Sequence, residues 1–281
     1  MHILLCRFSK SKICGTVGNM RRISPRLAVI AEEIEKRGYQ DVVYDIGTDH
    51  AHLPAHMLEA GICGAVVATD ISAKALGRAR RRVEEAGLGI RVSFREGDGF
   101  SAIPDYLPGR IAVIAGIGGN NLIGITERGI EKARAASLLI FQPMYDQESL
   151  REWLMDNSFA IEYERLASEG NRVYCLIFCR YAGEPVQYNM EEVYTGVNVK
   201  YSNVSDYILY LKFTRSKLLN RYNGIKSSAK IKNNSDEYGK EAEYGREAEY
   251  GREDETETEI ERLEYALAEI EKRLNGFMTE G

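Results

Sequence analysis

No run of apolar residues in this chain approaches the ~20 that a bilayer-spanning helix needs. Within residues 1–19 the apolar patch from Ile3 to Cys6 is too short for the core of a secretory signal. Neither membrane insertion nor a signal peptide is therefore expected. Soft ligands are scarce: there are four histidines, and the five cysteines (Cys6, Cys14, Cys63, Cys175, Cys179) lack metal-ligand spacing. Cys175 and Cys179 fall four apart on one predicted strand, too far along a single segment for a disulfide. Reduced thiols in a cytoplasmic protein are the expectation. An excess of positive charge is missing as well. The net charge of −5 argues against a uniformly basic nucleic-acid coat. A local basic face stays open, because the acids gather near the carboxyl terminus.

What is present suits a soluble globular protein. At 281 residues, 44% hydrophobic and 28% charged, the chain can hold one α/β domain and something more. Met20 precedes Arg21-Arg22-Ile23-Ser24-Pro25, where Ser24 caps and Pro25 starts a helix. Residues 1–19 are expected to be disordered or to lie upstream of a natural start at Met20. A helix at about 24–38 places Leu27, Ile30, Ala31 and Ile34 on one face. Strands are predicted at 41–46, 65–70, 91–96, 110–115 and 137–142. Helical patterns lie near 54–60, 73–86, 100–106 and 120–135. This alternation predicts a doubly wound, mostly parallel sheet with helices on both faces. Strands at 159–166 and 172–180, joined by a polar loop, close it with an antiparallel hairpin. That ending resembles the class I S-adenosylmethionine-dependent methyltransferases, a Rossmann-like fold.

The most informative stretch is Val42-Val43-Tyr44-Asp45-Ile46-Gly47-Thr48-Asp49-His50-Ala51-His52-Leu53-Pro54. An apolar strand ends in an acid and a glycine, then a polar turn opens a helix, as in nucleotide-receiving α/β folds. Gly47 lets the backbone approach a ligand, and Asp45 and Asp49 place carboxylates to hold a hydroxyl or ammonium. The second and third glycines of the dinucleotide fingerprint are replaced by Asp49 and His52. A pyrophosphate, and with it a nicotinamide-dependent oxidoreductase, therefore fits poorly. A cationic, phosphate-free ligand such as S-adenosylmethionine fits better.

Asp70 ends the second strand, either accepting both ribose hydroxyls of an adenosyl ligand or capping the next helix, a role that Ser72 also suits. Ile71 beside it and Leu53 are further cofactor candidates. Asp98, between Gly97 and Gly99, accepts an adenine amine or simply forms a turn. Ala115-Gly116-Ile117-Gly118-Gly119-Asn120 follows the fourth strand, with Ala115 toward the cofactor and Gly116, Gly118 and Gly119 as a flat wall admitting a planar base. Gln142, at the end of the fifth strand, has an amide suited to a base. His50 orients its loop or meets the methionine end of the cofactor. Asp49-His50-Ala51-His52 read as metal ligands lacks further partners at suitable spacing, so no metal is expected.

Beyond Pro185 the pattern is helical. Ile208, Leu211, Leu218, Tyr222 and Ile225 recur at a and d spacing with Arg215 at one a position, and Ile260, Leu263, Leu267, Ile270 and Leu274 repeat it. An antiparallel coiled-coil hairpin over 186–281 is predicted, following a methyltransferase domain over 20–185. Between its helices, at about 228–257, a hexapeptide repeat (Glu237-Tyr238-Gly239-Lys240-Glu241-Ala242 and its copies) is expected to be a flexible insertion, glycine weakening any helix there.

Taken together, Ile23-Ser24-Pro25-Arg26-Leu27, Asp45-Ile46-Gly47-Thr48-Asp49-His50-Ala51, Arg95-Glu96-Gly97-Asp98-Gly99, Ala115-Gly116-Ile117-Gly118-Gly119 and Phe141-Gln142-Pro143 with Leu150-Arg151-Glu152-Trp153-Leu154 closely resemble the bacterial tRNA (adenine-22-N1)-methyltransferases. The resemblance covers about 22–185, with Ile117 where the family usually has Met and His52 where it has an aromatic. It implies methyl transfer from S-adenosylmethionine, leaving S-adenosylhomocysteine, to N1 of an adenine in tRNA. Asp49 is the candidate to stabilise the cationic product ring. Phosphate partners are sought in Lys74, Arg78, Arg81 and Arg82 on the third helix and in Arg21, Arg22 and Arg26 at the first, the other reading being a solvated charged face. The coiled coil clasps tRNA or serves oligomerisation. No obligate protein partner is inferred. The rival functions are methylation of another base or a small molecule, and non-catalytic RNA binding by a transferase fold.

Overall fold

The computed structural model describes residues 23–103, 110–236 and 246–279, with side chains outside the description at 229–256 and 279. Expectations for residues 1–19, for Arg21 and Arg22, and for residues 237–245 of the repeat lie outside the described residues. From the amino end come α1 (Pro25–Lys36), β1 (Gln40–Ile46), α2 (His52–Glu59), β2 (Cys63–Asp70), α3 (Ala73–Glu85), β3 (Val92–Glu96), β4 (Ile111–Ile117), α4 (Gly119–Arg128), α5 (Ile130–Ala135), β5 (Leu138–Pro143), α6 (Gln147–Asp156), β6 (Phe159–Glu169) and β7 (Arg172–Tyr181). Then follow α7 (Met190–Thr195), β8 (Val199–Lys200), α8 (Val204–Asp236) and α9 (Arg246–Thr279).

The eight strands form one sheet in the order β3-β2-β1-β4-β5-β7-β6-β8. β1 to β5 pair in parallel, and β7 runs antiparallel to both β5 and β6. This is the doubly wound sheet with a closing hairpin that the alternation predicts. Continuous apolar strands follow from cover on both faces. On one face Val43, Val66, Val113 and Ile140 meet Ile30 and Ile34 of α1, Met57 of α2 and Val83 of α3. On the other, Tyr44, Ile46, Ile114 and Phe141 meet Leu122 of α4 and Leu150 and Leu154 of α6. Strand order reverses between β1 and β4, so their carboxyl ends open a crevice.

Local departures have local causes. The single helix expected at 120–135 breaks at Gly129, where a Cβ would come within 2.2 Å of Phe100. β6 continues through Glu169, shortening the hairpin loop to Gly170-Asn171. α7, with a reciprocal capping box between Asn189 and Glu192, and β8, parallel to β6, carried no strong pattern in the sequence.

The helices α8 and α9 run antiparallel: Arg215 pairs with Glu271 at 2.6 Å and Arg221 with Glu259 at 2.6 Å. The polar a position is thus satisfied by charge across the seam. Leu211, Leu218, Leu263, Ile270 and Leu274 are buried, and Ile208, Tyr222, Ile225 and Leu267 are packed against them. α9 starts at Arg246, so its backbone is helical through the last repeat unit, where glycine spacing argued against a helix. The hairpin is joined to the sheet by a buried network. Arg151 donates to Glu164 through Nε at 2.7 Å and Nη2 at 2.8 Å, to the Val193 carbonyl at 2.8 Å and to the Tyr210 hydroxyl at 2.6 Å. Burial opposes charge on Arg151, yet Glu164 beside it holds the guanidinium pKa above its ordinary value. Among the described residues, no helix is long and apolar enough to cross a membrane.

Candidate active site

The carboxyl ends of β1 and β2 bring two acids together. Asp45 is buried, 5% exposed, and accepts from the Thr48 hydroxyl at 2.6 Å. Burial pushes its carboxyl up to about 6; the Thr48 bond opposes this and the Asp70 charge adds to it. Asp70 accepts the backbone N–H groups of Ser72 at 2.8 Å and Asp49 at 3.3 Å. Ser72 itself caps α3, accepting from the Ala75 N–H at 3.3 Å, so the helix does not need Asp70 as its cap. Ile71, the next residue, is 73% exposed at this edge.

The β1–α2 loop is tightly wound. Gly47, Asp49 and Ala51 all have positive φ (79°, 40° and 51°). For Asp49 and Ala51 this costs about 1 kcal/mol or more each. A Cβ on Gly47 would lie 3.2 Å from Ile117 Cδ1, so β4 closes the loop from the other side. α2 begins at His52 rather than at Pro54, and the Leu53 side chain is buried in the core. The Asp49 carboxylate is shared by Arg78 at 2.5 Å and His50 at 3.4 Å.

At the next strand end, Asp98 meets Arg128 of α4 in a two-pronged pair at 2.7 and 3.0 Å. The sequence held no signal for Arg128. Gly97 and Gly99 flank Asp98 as expected, against Ala102 and Ile125. Beyond β4, Gly116 is exposed while its N–H donates to the Gln142 Oε1 at 3.1 Å. Gln142 is fully buried and also donates to the Pro143 carbonyl at 3.0 Å. It positions the glycine loop in this structure, and its amide is not presented at the surface. Ala115, half-buried, precedes the loop.

The glycine wall has a lid that sequence reasoning missed. Tyr145 lies across Gly118, where a Cβ would stand 2.4 Å from the ring, and the Asp146 carbonyl lies 2.2 Å from where a Gly119 Cβ would be. Only glycine fits at 119, where the obstacle is backbone; at 118 a Cβ would push the exposed ring aside. An aromatic two residues after Pro143 was the available signal.

A cleft of about 230 Å³ beside the crevice is lined by His50, Arg78, Arg81, Arg82 and Glu85. Lys74 and Arg81 are exposed on α3. Arg26 stands apart: its side chain pairs with Glu169 at 2.5 Å and lies over the Tyr174 ring, tying α1 to the β6–β7 hairpin. Among the described residues, no group of three or more His, Cys, Asp or Glu is placed to hold a metal.

Carboxylates ending β1 and β2, beside a glycine-rich loop ending β4, line the strand-end crevice of a doubly wound α/β fold. The chain belongs to the methyltransferase-domain family, whose model matches residues 23–177. It is 33% identical over 156 residues to the tRNA (adenine(22)-N(1))-methyltransferase of Bacillus subtilis. That match covers 56% of this chain and 64% of the relative's length. The crystal structure of the B. subtilis m1A22 tRNA methyltransferase superposes with a TM-score of 0.65 at 21% identity, covering 90% of this chain and 99% of that one. The M. capricolum enzyme in complex with S-adenosyl-homocysteine gives 0.63 at 23% identity, covering 88% and 99%. Both likenesses are of fold, and both extend over the carboxyl-terminal helices.

Proposed function

We propose that this chain transfers a methyl group from S-adenosylmethionine to N1 of an adenine in tRNA, at position 22 by its likeness to the B. subtilis enzyme. The observation that carries the reading is the Asp45–Asp70 pair on adjacent strands. Each is held by hydroxyl or amide donors, and among the described residues neither meets a lysine or arginine. Two such acids would repel a diphosphate and suit an ammonium and a ribose diol.

When bound, S-adenosylmethionine supplies an electrophilic methyl carbon on a sulfonium centre. Asp45, ionised above about pH 6, would hold the ammonium end. Asp70 would accept the ribose hydroxyls, Ile71 would give the adenine an apolar wall, and Asp98, steadied by Arg128, would face the exocyclic amine. Gly47, His50 and the Leu53 backbone would line the amino-acid end. Gly116, exposed beyond β4, would face the acceptor base, with Gln142 fixing its loop, while Gly118 and Gly119 lie beneath Tyr145 and Asp146 and would seat that segment rather than meet the base.

Adenine N1 carries a free in-plane lone pair, so the site needs no strong base and positioning carries the catalysis. The base must leave its stack to reach the crevice. Methylation makes its ring cationic, and Asp49, which Arg78 also holds, would meet that charge. Lys74, Arg78, Arg81 and Arg82, beside the crevice, would take the tRNA backbone. Residues 20–185 would carry the chemistry and the hairpin of 186–281 the grip. Such work belongs in the cytoplasm, where tRNA is. The reading is tested by Asp70→Ala: affinity for S-adenosylmethionine is expected to fall at least tenfold with tRNA affinity unchanged. An unaltered S-adenosylmethionine titration would refute the ribose role.

A further inference from the structure

We propose that the Tyr145 ring is the platform on which the acceptor adenine stacks; this deepens the tRNA-methyltransferase reading and rests on it. Tyr145 is 55% exposed at the carboxyl end of β5, although its ring lies against the buried Gly118. The end of the ring at Cε2, Cζ and Oη thus lies over Gly118 while more than half of the residue stays open. Its backbone is pinned on both sides: the Met144 N–H donates to the Ile117 carbonyl at 3.0 Å, and the Gly119 N–H to the Tyr145 carbonyl at 2.8 Å. The next residue, Asp146, is held by Asn120 at 3.1 Å and by Lys217 of α8 at 3.1 Å.

The placement relative to the methyl-donor loop is equally direct. Ile117 reaches Gly47 on one side, and its neighbour Gly118 carries Tyr145 on the other. Gly47, Ile117, Gly118 and Tyr145 therefore form a row across the ends of β1, β4 and β5. A base stacked on the ring would stand at the β5 end of this row, with the loop proposed to receive the donor at its β1 end. A nucleotide swung out of its helix loses its stacking partners, and an aromatic face restores part of that loss. The same face attracts a cation, so its hold strengthens as N1 methylation makes the base positive. The platform thus favours the transition state over the bound substrate.

The test uses the full chain with Tyr145→Ala, Tyr145→Phe and Tyr145→Trp, tRNA as methyl acceptor, and a tRNA carrying fluorescent 2-aminopurine at the target adenine. Tyr145→Ala is expected to lower kcat/KM for tRNA by about 10- to 100-fold and to abolish the quenching of 2-aminopurine on binding. Affinity for S-adenosylmethionine should stay within about twofold of the unaltered protein. The Phe and Trp variants are expected to restore most of the turnover and the quenching. Unchanged turnover in Tyr145→Ala overturns the platform. So does a Phe variant as impaired as Ala, which would implicate the hydroxyl, or a parallel loss of S-adenosylmethionine affinity. Failure of the unaltered protein to form 1-methyladenosine defeats instead the function on which the platform rests.

Discussion

Lys217, on α8, bonds Asp146 at 3.1 Å and Glu148 at 2.7 Å. Asp146 is the residue whose carbonyl covers Gly119 and whose carboxylate also binds Asn120. The hairpin therefore does more than project from the sheet, since one of its lysines holds the loop that shapes the glycine wall. Lys217→Ala is expected to lower turnover on tRNA about fivefold, since the loop loses a tether and the base its exact seat. The lysine is partly exposed, so the thermal midpoint should move by no more than about 3 °C. Lys217→Arg should recover most of the turnover. A melting shift in proportion to the lost activity would reduce the contact to a structural one.

Asp45 links stability and binding in opposite directions. Its folded pKa, about 6, lies above the ordinary carboxylate value, so its stabilising contribution is present at low pH and is lost as pH rises through 6. Asp45→Asn is expected to stabilise the ligand-free protein at pH 8 by an amount on the order of 1–3 kcal/mol, and by little at pH 4. The ionised form is the one that suits an ammonium. Affinity for S-adenosylmethionine should therefore fall by up to tenfold per unit as pH drops below 6. Denaturation and calorimetric titration at both pH values measure the two effects.

The arginine-lined cleft makes an electrostatic prediction. Reversing Arg78, Arg81 and Arg82 to Glu should weaken tRNA binding and reduce the slope of log affinity against log salt by about 2–3. An unchanged slope would mean that this face of α3 is merely solvated. Arg78 also holds Asp49, so turnover should fall in Arg78→Ala more than binding does.

The Arg151–Glu164 pair is buried from both sides, 1% and 0% exposed. Arg151→Met leaves the Glu164 charge uncompensated and is expected to cost about 3–5 kcal/mol. Replacing both partners by apolar residues should recover much of that loss, because the desolvation of two ions goes with them. Urea unfolding of the single and double variants separates the outcomes.

Much of the fold was legible because burial on both sheet faces writes itself as apolar runs such as Val42-Val43 and Leu139-Ile140-Phe141. The acids at 45 and 70 were equally plain, as they interrupt those runs at a strand end. What stayed hidden depends on the partner rather than on the position. The pairing of Asp98 with Arg128, of Arg26 with Glu169 and of Gln142 with Gly116 joins residues 26 to 143 positions apart, and no periodicity encodes them. Gln142 was legible as a strand-end amide but not as a buried one. Tyr145 was visible only as an aromatic in a turn, until Gly118 was found beneath it.

Transfer of a methyl group to the N1 nitrogen of a tRNA adenine is read most directly from the modified nucleoside itself. Unmodified tRNA incubated with the protein and methyl-labelled S-adenosylmethionine, then digested to nucleosides, is expected to carry the label as 1-methyladenosine. Label in another nucleoside, or in none while the protein still binds the donor, would contradict the account.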